Sequence, residues 1–333
     1  MITRPALSAF LLAAFSLAAC GPDQPEAEAV NAELTVLFPD DPGRRGLGAL
    51  DYAGGLILTG GGEDFGGWSA MEISEDGRRL LAISDSATWM TADLAYGPSG
   101  DLSGLSRASL TAMRDEAGGA LTGARADAEG LAHMGEGRYA VSFERSHRIA
   151  VYEIGEDWSQ IGEAPAQTFP APPGADRLRA NAGLEALARL GDTLWAGVEY
   201  PIIDGQPATL WRYDLERADA PPQSAALALT PGFGLTGLAP DGAGGLIVVE
   251  RYWSRDVGNR IKIGHLRPDA LDAGNGPLTP EPLALIEPDM TVDNIEAVAL
   301  AEIDGERRIF VMSDDNFNDA QRTLLLSFVW PRD

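Results

Sequence analysis

The sequence predicts an all-β fold, a β-propeller built from four-stranded antiparallel blades, and three observations predict it. One motif recurs five times, the apolar segments between its copies suffice for four strands per repeat, and glycine and proline (39 and 22 of 333 residues) recur along the whole chain as turn punctuation. The copies are GGWSAMEISEDGRRLLAISD (66–85), DAEGLAHMGEGRYAVSFER (127–145), NAGLEALARLGDTLWAGVEY (181–200), GFGLTGLAPDGAGGLIVVER (232–251) and DNIEAVALAEIDGERRIFVMSD (293–314). Each reads as a short apolar strand, a turn rich in Gly, Asp and Glu, and a second apolar strand ending in an acid. The matching positions Ser69, Glu129, Glu185, Thr236 and Glu296 are separated by 60, 56, 51 and 60 residues. A linear β-solenoid, the main competitor, normally has a shorter repeat and no need to close.

In chain order, residues 1–19 come first, with one charge, Arg4, and the apolar run AFLLAAFSLAA. That run is too short to span a bilayer and matches the core of a secretory signal. It ends in Leu17-Ala18-Ala19-Cys20, which reads as a lipobox with Cys20, the only cysteine, as the lipidated residue. Residues 20–33 are polar, acidic and proline-containing, a tether between lipid and domain. Gly21 follows the cysteine where an inner-membrane retention signal would have Asp, so the expectation is an exported bacterial lipoprotein on the outer membrane, facing the periplasm or the cell surface.

The propeller domain is expected over 34–333. ELTVLF (33–38) and GGLILTG (54–60) are candidate strands to close the ring from the N-terminal side, because RTLLLSFVW (322–330) is only the third strand of the last blade. The second repeat continues with RIAVYEI (148–154) and AQTFPA (166–171), the third with ATLWRYDL (208–215) and SAALALT (224–230). Five inner-strand motifs are visible. A sixth blade would have to come from residues 34–65, so five and six both stand as expectations.

The net charge of −25, from 50 Asp+Glu and 25 Lys+Arg, excludes nucleic acid as a partner, since phosphate backbones are bound by basic surfaces. Only Lys262 among the basic residues is a lysine. In a propeller the first strand of each blade lines the central channel, so matched positions converge on one axis. Two acidic sets follow: Glu129, Glu185 and Glu296 near the start of the inner strands, and Asp85, Glu144, Glu199, Glu250 and Asp314 at the end of the second strands. Carboxylates gathered on one rim need a cation or guanidinium among them. Ca²⁺ held by Glu129, Glu185, Glu296, Asp85 and Asp314 is one answer, and salt bridges to Arg145 and Arg251 are the other. Arg145, Arg148, Arg251 and Tyr252 are candidates for substrate binding, with Glu129, Glu185, Glu296 and His147 as catalytic candidates. SDDNFND (313–319) is polar enough to chelate calcium but lacks the glycine and glutamate of the helix-loop-helix calcium loop. No G-x-S-x-G, H-E-x-x-H or glycine-rich phosphate loop occurs.

Together the motifs FGGWSAMEIS, DAEGLA with FERSHRI, NAGLEALA, ERYWSRDVGNRIKI and DNIEAVAL with MSDDNFNDAQRTLLLSF resemble the phytase-like repeat proteins described as having esterase-like activity of phytase. The likeness covers roughly residues 50–330. It implies hydrolysis of a phosphodiester or phosphomonoester, here with a small anionic substrate and a monomeric enzyme that touches the membrane only through its lipid. Two other readings stand beside it: a calcium-dependent lactonase or carboxylesterase using Asn181, Asn294 and Glu129, and a non-catalytic propeller scaffold.

Overall fold

The computed structural model describes residues 30–331, apart from 63, 181, 218, 273 and 275. The expected signal peptide, Cys20 and most of the tether lie outside the described residues, as does Asn181. Three strands precede the first repeat: β1 (Asn31–Thr35), β2 (Gly46–Leu47) and β3 (Leu50–Thr59). The first blade is β4 (Trp68–Ile73), β5 (Arg79–Ser84), β6 (Thr88–Tyr96) and β7 (Leu102–Ala112). The second is β8 (Ala128–Gly135), β9 (Arg138–Phe143), β10 (Arg148–Glu153) and β11 (Gln167–Phe169). The third is β12 (Leu184–Leu190), β13 (Thr193–Val198), β14 (Ala208–Asp214) and β15 (Gln223–Leu227). The fourth is β16 (Gly234–Pro240), β17 (Leu246–Ser254), β18 (Gly258–Leu266) and β19 (Glu281–Ile286). The fifth begins with β20 (Asn294–Ile303), β21 (Glu306–Asp314) and β22 (Thr323–Trp330).

Each blade is an antiparallel meander, the arrangement that short strands joined by tight turns adopt most readily. Successive inner strands pack side by side, and β20 packs on β4, so the ring closes after five blades. Residues 34–65 build no sixth blade. Instead β3 pairs with β22, with Leu56 opposite Leu325, and becomes the fourth strand of the last blade. β1 adds a fifth strand outside it, with Leu34 opposite Leu56. Both candidate closing segments are therefore used, side by side.

Alternation along β3 explains why it fits there. Leu56 and Leu58 are buried against first-blade residues such as Leu80, Met90 and Leu94, whereas Ile57 packs on the opposite side with Ile261 and Ile309. A one-residue slip would exchange the two sets, so the register is fixed by two apolar faces at once. The remaining blades meet in the same way, through apolar clusters between the second to fourth blades and between the first and second.

Candidate functional site

All five inner strands carry the same irregularity at the same place. The pairing of each with its neighbour skips Ser69, Glu185, Thr236 and Glu296 in four blades, and Glu129 with Gly130 in the second. These bulges are the positions the repeat aligned. A bulge bends the strand and re-aims the extra side chain, so five non-adjacent residues are delivered to one axial site. Below them the axis is nearly filled: the cavity bounded by Ser69, Glu185, Thr236 and Glu296 is about 10 Å³, room for at most one water. The site is a cup at one rim, not a passage through the molecule.

A second ring stands beside the first. Opposite the residue preceding each bulge lie Ser84, Phe143, Val198, Glu250 and Ser313. The next residue in each case is Asp85, Glu144, Glu199, Arg251 or Asp314. The ring position in the fourth blade therefore belongs to Arg251 and not to Glu250, correcting the sequence alignment by one residue. The alignment matched the Glu-Arg pairs at 144–145 and 250–251 to each other, and a shift of one residue in a strand moves a side chain to the other face. Glu250 is fully buried on that other face, where it meets the Lys262 ammonium at 3.2 Å and accepts the Thr230 N–H at 2.6 Å.

The two rings thus bring seven carboxylates, Asp85, Glu129, Glu144, Glu185, Glu199, Glu296 and Asp314, and one guanidinium to the cup. Arg251 lies 3.1 Å from Glu199 and 3.4 Å from Glu296 and donates to the Asn294 side chain, which in turn donates to Glu296 and Asp314. Burial pushes Glu129 and Glu185 well above the usual carboxylate range, and neighbouring acids push further: Glu296 and Glu144 on the former, Glu129 and Glu144 on the latter. Burial likewise lifts Asp85 to about 7, helped by Asp127 and Glu296, and Asp314 to about 9, helped by Glu296. Glu199 rises to about 7 through burial, with Arg251 opposing the rise, and Glu296 rises against the pull of Arg251 and Asn294. Without an added cation, the cup holds several of its acids protonated at neutral pH.

Of the residues singled out from the sequence, Glu129, Glu185, Glu296, Asp85, Asp314 and Arg251 come together in the cup. Arg145 reaches it differently, pairing with Asp127 at 2.8 Å from the tight turn after β9, where its backbone is left-handed (φ 46°). His147 lies in the same turn, half-buried over Gly183, and its Nδ1 is buried with no hydrogen-bond partner among the described residues. Arg148 is engaged within its own blade: it donates to the carbonyls of Ser146 and Arg125 and stacks on Phe143. Tyr252 packs on Phe233, and the alternate residue Trp253 faces the cleft beside the cup. In SDDNFND only Asp314 joins the ring. Asp315 caps its own turn by accepting the Phe317 and Gly67 N–H groups, and Asp319 is exposed.

Sequence reasoning missed Asp127, which is buried beside Glu129 and Glu144, the ligand oxygens of all three lying within 4.8 Å of one another. Its position, just before the inner strand, is Gly67, Gly183, Gly234 and Asn294 in the other blades. A side chain at Gly67 would collide with Asp85, and one at Gly234 would meet Glu199 at 3.0 Å. Gly183 donates its N–H to Glu144. Three blades thus need glycine because a ring acid rests on the backbone, and the two that do not use glycine place a third polar group in the cup.

The architecture and the cup define a class: a five-bladed propeller with an acid-lined axial site suited to a metal cation. The family model for phytase-like proteins, described as esterase-like activity of phytase, matches residues 63–317, and the chain belongs to that family. No curated protein matches the chain.

Proposed function

We propose that this protein is a calcium-dependent phosphoester hydrolase, exported and held at the bacterial outer membrane through Cys20, that acts on a small anionic phosphomonoester or phosphodiester. The observation that carries the reading is the Asp127, Glu129 and Glu144 cluster, three buried carboxylates with oxygens within 4.8 Å of one another. Asp127 Oδ2 is paired with Arg145 at 2.8 Å, a guanidinium that a cation would have to displace or share the oxygen with. Hard oxygen donors at this density fit Ca²⁺, with Asp85, Glu185, Glu296 and Asp314 close enough to add charge. Bound there, calcium would supply the positive charge that lets a phosphoryl group enter an acidic cup and would polarise it toward attack by water.

The chain's own residues have separable tasks. Arg251 lines the open cleft beside the cup, and Arg145 is half-exposed at the edge of the cluster, so both present guanidinium donors to phosphoryl oxygens. His147, half-buried beside Glu144, is the candidate to carry a proton between water and the leaving oxygen. The test is turnover of p-nitrophenyl phosphate, bis-p-nitrophenyl phosphate and a lactone, with calcium and with chelator, in the wild type and in Glu129→Gln. Phosphoester turnover that chelator abolishes and calcium restores is the expected result. Lactone turnover alone would assign a carboxylesterase, and no turnover with no bound metal by elemental analysis would leave a binding scaffold.

A further inference from the structure

Beside the cup lies an open cleft of about 650 Å³, within the size range of small-molecule sites. Arg251 and Glu296 of the rings form one part of its wall, so whatever fills it is continuous with the axial site. The hairpin of β17 and β18 contributes Trp253 and Asn259, which pair across the strands, and the loop after β21 contributes Asn316 and Gln321.

Two features of this wall have no structural explanation within the fold. Trp253 is 62 % exposed, whereas the other six tryptophans, Trp68, Trp89, Trp158, Trp195, Trp211 and Trp330, are at most 8 % exposed. A solvated indole forgoes the burial that normally makes tryptophan worth its size. Asn259 is half-buried in the wall, and its Oδ1 has no hydrogen-bond partner among the described residues, so this amide oxygen is not committed to a bond within the fold.

We propose that this cleft is the subsite for the alcohol half of the phosphoester and that it takes an uncharged, polyhydroxylated ring such as a hexose. The assignment rests on the phosphoester reading above. A sugar presents a flat C–H face to an indole and hydroxyls that both donate and accept, which is what side-chain amides match. The charges argue for a neutral ring carrying one phosphoryl group. Among the cleft residues Arg251 is the sole cation, already paired with Glu199 and Glu296, while Asp293 and Glu296 are acidic. A ring bearing several phosphates would find two carboxylates and no second cation in this wall.

The experiment uses the full-length protein with calcium, as wild type, Trp253→Ala and Trp253→Phe. Acrylamide quenching of tryptophan fluorescence reports on Trp253, the one exposed indole, in the presence of the methyl α-D-glycosides of glucose, mannose and galactose, of adenosine, and of glycerol. At least one glycoside should protect it, and adenosine and glycerol should not. In turnover, the preferred hexose phosphate should exceed glycerol phosphate in kcat/KM by about tenfold. That ratio should fall toward one in Trp253→Ala and be largely kept in Trp253→Phe, a pattern that simple loss of folded protein would not produce. Protection by adenosine alone, or a ratio that Trp253→Ala leaves untouched, overturns the proposal. Protection by a sugar in a protein that hydrolyses no phosphoester keeps the subsite and removes the hydrolase reading, whereas turnover without sugar preference removes the subsite alone.

Discussion

Replacing Arg251 by methionine tests the electrostatics of the cup most directly. At an effective dielectric constant near 20, contacts of 3.1 Å to Glu199 and 3.4 Å to Glu296 each represent about 5 kcal/mol of gross attraction. Desolvation offsets most of this, and removing one partner of such a buried group costs about 3–5 kcal/mol when the carboxylates it leaves behind are ionised. They are not ionised at every pH. Glu199 titrates at about 7 in the folded protein, above the ordinary carboxylate value, so the folded state binds more protons than the unfolded one between those limits. Metal-free stability from this group is therefore fully present at low pH and lost as pH rises through about 7. Without Arg251, Glu199 and Glu296 hold their protons to still higher pH, and the loss steepens by about 1.4 kcal/mol per pH unit for each proton retained. Urea unfolding of wild type and Arg251→Met in chelator should accordingly show a difference of about 1 kcal/mol at pH 5.5 and about 3–5 kcal/mol at pH 8.5. An equal difference at both pH values would refute the coupling of Arg251 to titrating acids.

Calcium binding at pH 7 should release protons, because burial and neighbouring acids raise Glu129 well above the usual carboxylate range and Asp85 to about 7; calorimetry in PIPES and in imidazole should give different apparent enthalpies, and identical ones would contradict the expectation. Glu250→Ala should lower stability by about 1–3 kcal/mol by leaving the Lys262 ammonium with only the Thr230 hydroxyl, yet shift calcium affinity less than twofold, whereas Glu129→Gln should weaken calcium about tenfold or more. The reverse ranking in titrations would restore Glu250 to the ring. Gly183→Ala would place a methyl 2.5 Å from the His147 ring, costing about 1–3 kcal/mol and displacing the imidazole. Wild-type kcat in that variant, measured on p-nitrophenyl phosphate, would remove His147 as the proton carrier.

The blades were legible because a β-propeller repeats its hydrophobic pattern, and five inner strands sufficed to locate every bulge. What the repeat could not convey was register past the bulge. The Glu-Arg pairs at 144–145 and 250–251 look equivalent in sequence, yet in the second blade the glutamate enters the cup and in the fourth the arginine does, since one residue of slip exchanges the faces of a strand. Asp127 was overlooked for a related reason: its counterparts are glycine in three blades, so no column of acids marks it, although the contrast between Gly and Asp at one position was itself the available signal. Arg148 and Tyr252 were placed by proximity in sequence to site residues, and in the fold they pack on Phe143 and Phe233. Trp253 stands next to Tyr252 in the same run, and its exposure becomes evident only with the hairpin in place.

Pairing of β3 with β22 makes the fifth blade a joint product of the two ends of the domain. Each of the first four blades is complete within its own stretch of sequence, whereas the fifth needs Thr323–Trp330 to meet a strand from the other end of the domain. Until then the ring is open, and acids of neighbouring blades stand apart in water, each free to ionise. Closure is the step that crowds them together. The repulsion within the cup therefore falls on ring closure, where a divalent cation would serve as a rivet for a propeller whose only cysteine precedes its first strand.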